Sequence, residues 1–175
     1  MYYYFCASLP ALDMGERPPW PVADFLEECR RLLAPGDLQQ VRNLLGESAA
    51  LSAAPFVRDW RAWDTQLRNA LARWRAGRAG VDLAGKLRDH PGFDCSLEKD
   101  VSDACAQSNP LERELALDRL RWRWAELAAR QAPFGMPAIL AFALQLRIAW
   151  RWAELQDEKG RRVVAEFAGK LEQSF

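Results

Sequence analysis

A shortage of β-branched residues constrains the fold of this chain more than any other feature of its sequence. Val, Ile and Thr together number ten among 175 residues, whereas Ala and Leu number 28 and 24. Strands are enriched in β-branched side chains, while Ala and Leu favour helices, so the composition excludes a sheet-dominated domain. We therefore expect an all-α, single-domain multi-helix bundle over residues 1–175, long enough to bury a core without disulfide or metal staples.

The charge balance and the cysteine pattern exclude several classes of function. The 24 basic residues equal the 24 acidic ones, so no net charge attracts a nucleic-acid backbone or an anionic membrane. The four cysteines are far apart, and His90 is the only histidine, so no metal or other cofactor is predicted. Because the start lacks a basic signal-peptide region and the longest uncharged apolar run, 132–144, is too short to span a bilayer, we expect a cytoplasmic protein.

The first part of the chain should form an ordered leader and two short helices. Prolines prevent a long helix in the leader, residues 1–20, whose aromatic start at 2–7 is expected to be extended or to form a single turn. A helix is predicted from Pro21 to Leu33, ending before Pro35 and Gly36. A shorter helix should follow, capped by Asp37 and closed by Gly46.

The segment from Pro55 to about Arg78 has the clearest helical period. Its opposite face carries several arginines, and Asp64 and Arg68 are spaced for an ion pair on the flank, worth on the order of a few tenths of a kcal/mol. The apolar positions recur every three or four residues and predict one buried face: Phe56, Trp60, Trp63, Leu67, Leu71 and Trp74.

The second half of the chain contains two predicted long helices. Glycines leave at most a short helix at 83–88, and a further helix is predicted from Leu97 to Ala106 with Ser96 as its cap. The run Asn109–Glu112 has a capping Asn, a proline at the first helical position and a Glu at the third, so it should open a long helix to about Gln131. The other long helix is predicted from Pro137 to Gln156, antiparallel to the first, and a last segment from Arg161 to Leu171.

Both long helices have apolar side chains on opposite faces. In the first, Leu117 and Trp124 point away from Leu115 and Trp122 at 100° per residue. A helix that is apolar on two sides must be covered on two sides. Such helices belong at the centre of a three-layer bundle, or their second face is a docking surface for another subunit.

A repeated hexapeptide marks the same two helices. The motif W-R-W-A-E-L begins at Trp122 and again at Trp150, 28 residues later, and each copy has two tryptophans on different faces. We expect Trp124 and Trp150 to belong to the core and at least one of the other two to contact a partner. The predicted partner-binding residues are Trp122, Arg123, Arg147, Arg151 and Trp152.

The sequence contains no recognisable catalytic constellation. It has no phosphate-binding loop, no dinucleotide fingerprint and no Glu-x-x-His pair for a di-iron site. His90 lies near Asp89, Asp94 and Cys95 in a turn that contains glycine and proline, where nothing enforces an acid–base or thiol geometry. We therefore interpret His90 as structural or incidental and predict that the protein is not an enzyme.

Three stretches carry a family resemblance. They are Tyr2–Leu12, Phe56–Arg78 with Trp60, Arg68–Leu71 and Arg75, and Ile139–Gly160 with Leu146, Ile148–Ala149, Arg151–Trp152 and Lys159–Gly160. Together they resemble an uncharacterised bacterial family of small helical proteins that accompany V/A-type ATPase subunits in their operons. The helix opened by Asn109 and the long helix after it are also similar in style to those of the C subunit of V/A-type ATPases, which is called the d subunit in eukaryotes. That subunit is a larger, funnel-shaped, all-helical protein that seats the central stalk on the membrane ring.

The resemblance implies a mechanical function. The protein would be a non-catalytic subunit or assembly factor of a bacterial V/A-type rotary ATPase, docked to other subunits through apolar and Arg–Trp surfaces, and peripheral to the inner membrane through that complex. Two other functions remain open at this stage. One is a small-ligand binder or enzyme with a pocket among the tryptophan-bearing helices, and the other is a homo-oligomer, such as a homodimer, that buries the second apolar face against a copy of itself.

Overall fold

A computed structural model describes residues 2–46 and 54–156, and within these two ranges the chain forms seven α-helices and no strand. This confirms the predicted all-α class. The predicted last segment, Arg161–Leu171, lies outside the described residues. In chain order the helices are α1 (Tyr3–Ser8), α2 (Val22–Leu32), α3 (Pro35–Leu45), α4 (Pro55–Ala79), α5 (Cys95–Cys105), α6 (Pro110–Arg130) and α7 (Met136–Gln156).

Local signals place the ends of the longer helices well. Asn109 caps α6, because its side-chain oxygen accepts a hydrogen bond from the Leu111 amide at 2.9 Å. Gly46 closes α3 in the left-handed conformation, with φ of 85°, which a residue without a Cβ adopts at little cost. Among the described helices, none is long and apolar enough to cross a bilayer.

Two predicted helix starts are wrong by a few residues. Asp37 was expected to cap α3, but the helix begins two residues earlier, at Pro35, with Ala34 as its N-cap; the fixed φ of Pro35 suits the first helical turn, where its missing N–H is not needed. Ser96 was expected to cap α5, but Asp94 does so, accepting hydrogen bonds from the amides of Ser96 at 2.9 Å and Leu97 at 3.3 Å. In both cases a neighbouring residue supplies the better local geometry.

The leader is helical at its start and lies along the C-terminal helices. The sequence left extended chain and a single turn open for this start, and the structure shows a short helix, α1, at residues 3–8. The Tyr2 amide donates to the Phe134 carbonyl in the α6–α7 loop at 3.0 Å, and its hydroxyl donates to Asp37 of α3 at 2.5 Å. Further along, the Trp20 carbonyl accepts from Nε1 of Trp150 at 2.6 Å. These long-range contacts fix a segment whose own sequence specifies little structure.

Helix α7 lies at the centre of the first hydrophobic core. It packs most extensively against α6 and α3, and also contacts α2. Its Ala- and Leu-rich sequence is buried on nearly every side, including Ile139, Phe142 and Leu146 on one face and Leu144 and Ile148 on the other. Of the two alternatives for a helix with two apolar faces, α7 therefore takes the first, a place at the centre of the bundle. Each fully buried large side chain contributes about 1.5–3 kcal/mol.

A second hydrophobic core lies between α4, α5 and α6. Leu67 and Leu71 of α4 pack there with Leu97 and Val101 of α5 and with Leu117 of α6. The segment at 83–88, where at most a short helix was expected, is a turn that α4 holds through two bonds between Asn69 and the Arg88 backbone. Helix α4 therefore contributes to both cores, since its first residues, including Trp60, belong to the first.

Candidate docking surfaces and a buried ion-pair network

The centre of the molecule contains a carboxylate that is almost completely buried. Asp118 of α6 is 2% exposed. It accepts hydrogen bonds from Nη1 of Arg121 at 2.8 Å, from Nε1 of Trp152 at 2.9 Å and from Nη2 of Arg151. Two guanidinium groups and an indole thus satisfy the carboxylate, as a buried charge requires.

Arg121 links this carboxylate to a second one. Its Nε lies 3.2 Å from Asp64 of α4, which is also buried and is paired with Arg68 at 2.7 Å. On α4, Asp64 lies between Trp60 of the first core and Leu67 of the second. The network of Asp64, Arg121 and Asp118 therefore lies where the two cores meet. The ion pair between Asp64 and Arg68 that the spacing predicts is present. It was expected on a solvated flank, but Asp64 is buried beneath α6, which the sequence spacing could not indicate.

Arg147 lies at the edge of the same network. Its Nη1 donates to the Leu44 carbonyl at 3.4 Å, and Arg61 donates to the Asn43 carbonyl at the same distance. Both cations face the C-terminal end of α3, where the helix dipole is negative. Desolvation by the surrounding protein is the main cause that lowers the pKa of Arg147, and Arg121 and Arg68 lower it further. Arg147 remains solvent-accessible and positively charged.

The four tryptophans of the repeated hexapeptide have four different environments. Trp152 is 3% exposed, and Trp150 is covered by the leader, with the Arg17 guanidinium 5.1 Å above its ring. Trp124 packs against α4, and Trp122 lines a surface groove and donates to Glu126 at 3.0 Å. Trp152, one of the predicted partner-binding residues, is therefore buried inside the molecule, where Asp118 accepts a hydrogen bond from its indole N–H.

The candidate partner-binding residues therefore do not form one surface. Arg151 and Trp152 meet at Asp118, and Arg147 contacts the end of α3. Arg123 is exposed and pairs with Asp100 of α5, whereas Trp122 is on another side of α6.

An aromatic groove lies where α4 and α6 meet the loop before α5. Trp60, Trp63 and Trp124 pack with centroid distances of 5.1 to 6.0 Å, and Phe56 lies 5.2 Å from Trp124. The outer sides of Trp63 and Trp124 line an open groove of about 640 Å³. Phe93, also in its lining, is 66% exposed. Sequence periodicity found the tryptophans but not Phe93, which lies in an irregular loop.

Charged side chains flank the aromatic groove. Arg58 and Asp59 line it on the α4 side and Asp94 on the loop side. Hydrogen bonding to Ser96 is the main cause that lowers the pKa of Asp94, and the charge of Arg123 adds to this effect. The groove thus combines flat apolar rings with a polar rim, an arrangement that protein–protein interfaces share.

A second groove, which we call the α6 groove, runs along the outer side of α6. Its apolar floor is formed by Leu111, Leu115 and Trp122. Trp152 of α7 and residues 12–15 of the leader complete the lining. The groove has a volume of about 550 Å³ and opens to solvent, and Leu111 is 57% exposed. Here the second apolar face of α6 is not fully covered by the described residues.

The loop around His90 does not assemble a recognisable catalytic or metal site among the described residues. Asp94 is engaged as the cap of α5, Cys95 is exposed, and Nδ1 of His90 has no hydrogen-bond partner in the described part of the chain. That part also contains no group of three or more His, Cys, Asp or Glu placed to hold a metal ion. Elsewhere, burial raises the pKa of the Cys29 thiol to about 12, which disfavours the reactive thiolate.

Comparison with known proteins gives one family match. The sequence profile of a family described as protein of unknown function (DUF2764) matches residues 97–174, which begin in α5 and include α6 and α7. No curated protein and no solved structure gives a significant match to this chain. The profile thus relates residues 97–174 of this chain to a family whose description names no activity, substrate or partner.

Proposed function

We propose that this protein is a non-catalytic docking component or assembly factor of a bacterial V/A-type rotary ATPase. The resemblance of three stretches of the sequence to proteins of V/A-type ATPase operons supports this choice of partner. The aromatic groove is the observation that supports docking. Through the ATPase, the protein would lie at the cytoplasmic side of the membrane.

The aromatic groove is suited to bind a partner protein rather than to perform a reaction. Trp63 and Trp124 are held by the packing of α4 against α6, so little conformational entropy is lost when a partner covers them. Phe93 exposes most of its ring beside them. Aromatic side chains with a charged rim are the composition typical of binding hot spots.

Affinity purification from the native cell tests this proposal. The tagged natural chain should recover ATPase subunits, and Phe93→Ser should recover at least tenfold less, because it removes the exposed ring without touching the core. Tyr4→Ser is the matched control, since Tyr4 is also exposed but lies on α1, outside the groove. Recovery of no ATPase subunit by the natural chain, or equal recovery by Phe93→Ser, would contradict the proposal.

A further inference from the structure

Two indole N–H groups in the aromatic groove have no hydrogen-bond partner among the described residues. They are Nε1 of Trp63 and Nε1 of Trp124, and both are in contact with solvent, since neither is among the fully buried polar atoms that lack a partner. The indoles of the other α6 and α7 tryptophans are bonded: Trp122, Trp150 and Trp152. The groove therefore offers two hydrogen-bond donors, as well as ring surface, to a bound chain.

A buried glutamine holds the loop that carries Phe93 against α4. Gln66 is 3% exposed. Its Nε2 donates to the Asp94 carbonyl at 2.8 Å, and its Oε1 accepts from the Asp94 amide at 2.9 Å. Because both backbone groups of Asp94 are bonded to α4, the neighbouring Phe93 is held at the groove before a partner arrives, which lowers the entropic cost of binding.

The rim of the groove has a carboxylate oxygen that is free for a partner. Arg58 and Asp59 pair with each other at 3.0 Å. The nearby Arg123 is paired with Asp100 of α5. Asp94 is exposed and accepts its three hydrogen bonds through Oδ1. Its Oδ2 has no partner in the described part of the chain, so the rim presents an unpaired negative charge beside the rings.

The two indole donors favour one backbone conformation of the occupant. The carbonyls of an α-helix are bonded inside the helix, so a bound helix would leave both indoles unpaired. A chain in the polyproline II conformation has no internal hydrogen bonds, and its carbonyls are free to accept. Proline also has no N–H that needs an acceptor, and proline-rich segments bind to aromatic-lined grooves.

The length of the groove fits such a segment. The lining follows α4 from Arg58 to Gln66, about 12 Å along a helix. In a polyproline II segment, residues three positions apart lie on the same side and are separated by about 9 Å. Two prolines with this spacing therefore fit along the groove at the same time.

We propose that the aromatic groove binds a proline-rich segment of its partner in the polyproline II conformation, with a basic residue beside the prolines. The proline rings cover Trp63, Trp124 and Phe93. The two indoles donate to carbonyls of the segment, and the basic side chain pairs with Oδ2 of Asp94. This inference rests on the proposed function, because it names the chemistry that the docking groove recognises.

Titration of the natural chain with a decaproline peptide that begins with arginine tests this placement. In nitrogen–proton correlation spectra the indole signals of Trp63 and Trp124 should shift, because each N–H gains an acceptor. The signal of Trp152, which is bonded to Asp118, should not shift. A glycine–serine peptide of the same length, with the same arginine, is the control, because its carbonyls are free but it has no proline rings. Absence of a shift at Trp63 and Trp124, or equal shifts with the control peptide, would overturn the proposal.

Two substitutions separate the indole donors from the packing of the rings. Trp63→Phe and Trp124→Phe each keep an aromatic ring but lose the N–H, so each should lower the affinity for the arginine-bearing decaproline about fivefold. Trp74→Phe is the matched control, because Trp74 also lies on α4 but outside the groove, and it should leave the affinity unchanged. Circular dichroism shows whether each variant is folded. Unchanged affinity in both groove variants would overturn the proposal.

An exchange of the peptide's arginine for glutamate tests the charge at the rim independently of these variants. The exchange should weaken binding to the natural chain about threefold, because an attraction becomes a repulsion at a surface pair. Asp94→Asn, which keeps the cap acceptor of α5, should remove this difference between the peptides. Equal affinity of the natural chain for both peptides would overturn the pairing with Asp94.

The peptide titration and the affinity purification can fail separately. Capture of ATPase subunits that is lost in Phe93→Ser, together with no binding of decaproline, would overturn this inference and leave the proposed function standing. Binding of decaproline by a chain that captures no ATPase subunit would overturn the proposed function and support the chemistry inferred for the groove.

Discussion

Asp118 can be buried as a carboxylate because three donors surround it. Arg121 and Arg151 supply positive charge, and the Trp152 indole supplies a neutral hydrogen bond. A buried charge of this kind does not by itself make the fold more stable than an apolar pair would. Removing the negative charge of Asp118 nevertheless lowers the free energy of unfolding, because Arg121 and Arg151 are then left without the charge that they surround.

Asp118→Asn should therefore lower the free energy of unfolding by about 2–3 kcal/mol, the range of a hydrogen bond to a charged group. Asparagine retains an acceptor for Trp152 but leaves Arg121 and Arg151 without their common counter-charge. Urea denaturation followed by circular dichroism measures the effect. Glu114→Gln is the control, because Glu114 is partly exposed and lies 3.8 Å from the same Arg151, so the loss of its charge should cost less than about 1 kcal/mol. Equal effects would contradict a special role for Asp118.

Asp94 provides a pH-dependent contribution to stability. Its pKa in the folded protein is lowered, chiefly by the hydrogen bond from Ser96 and also by the bonds from the α5 amides. A depressed folded pKa means that the contribution is present above the unfolded pKa, about 3.9, and is lost as the pH falls through the folded value.

Asp94→Ala should thus cost about 1 kcal/mol at pH 7, as the loss of a helix cap does. The difference from the natural chain should shrink as the pH falls from 5 towards 3. Asp94→Asn is the matched variant, because asparagine keeps the cap acceptor but does not titrate. The difference in stability between the Ala and Asn variants should therefore be the same at every pH in this range. A constant difference between Asp and Ala, measured by urea denaturation at each pH, would show that the cap charge contributes nothing.

At the scale of helices, the sequence predicts the bounds of α4, α6 and α7 because each boundary depends on residues adjacent in sequence. Asn109 and Pro110 suffice to start α6, and Pro133 and Gly135 to separate it from α7. The helical form of α1 could not be chosen over an extended one from its sequence, because the bonds that fix it come from the α6–α7 loop and α3. The sequence of residues 2–8 alone does not indicate which distant residues will bond to them.

The candidate site was harder to predict for the same reason. Periodicity shows that Trp150 and Trp152 point in different directions, but not which direction is inward. That choice depends on Asp118, 34 residues before Trp152, and on the leader that covers Trp150. A buried aspartate on a helix that also bears arginines looks like an ordinary surface residue until its neighbours are known.

Trp122 and Trp152, one from each copy of the repeated hexapeptide, should now differ in their effect on stability. Trp152→Ala should cost about 3–5 kcal/mol, because it removes a buried ring and a bond to Asp118. Trp122→Ala should cost less than about 1.5 kcal/mol, because Trp122 is only partly buried in the α6 groove. Urea denaturation of both variants, followed by circular dichroism so that the lost tryptophan does not alter the signal, makes the comparison. A cost at Trp122 as large as that at Trp152 would mean that both faces of α6 are internal.

For the molecule as a whole, the two hydrophobic cores meet at charged residues. Helix α7 and the first helices of the chain form one core, while α5 with parts of α4 and α6 forms the other. Arg121 bonds to both Asp64 and Asp118 where the cores adjoin. This polar junction requires the two aspartates and the arginine to be ordered together, so it couples the packing of α4 to that of α6.

Arg121→Met should uncouple the two cores. In the natural chain, tryptophan fluorescence, which reports mainly on the first core, and helical circular dichroism should show the same urea midpoint, as expected for a cooperative domain. In Arg121→Met the two midpoints should separate, because Asp64 and Asp118 lose their shared counter-charge and the smaller core between α4, α5 and α6 melts first. Arg123→Met is the control, since Arg123 pairs only with the partly exposed Asp100 among the contacts described. Coincident transitions at a lower urea concentration in Arg121→Met would show instead that the network stabilises the molecule as one unit.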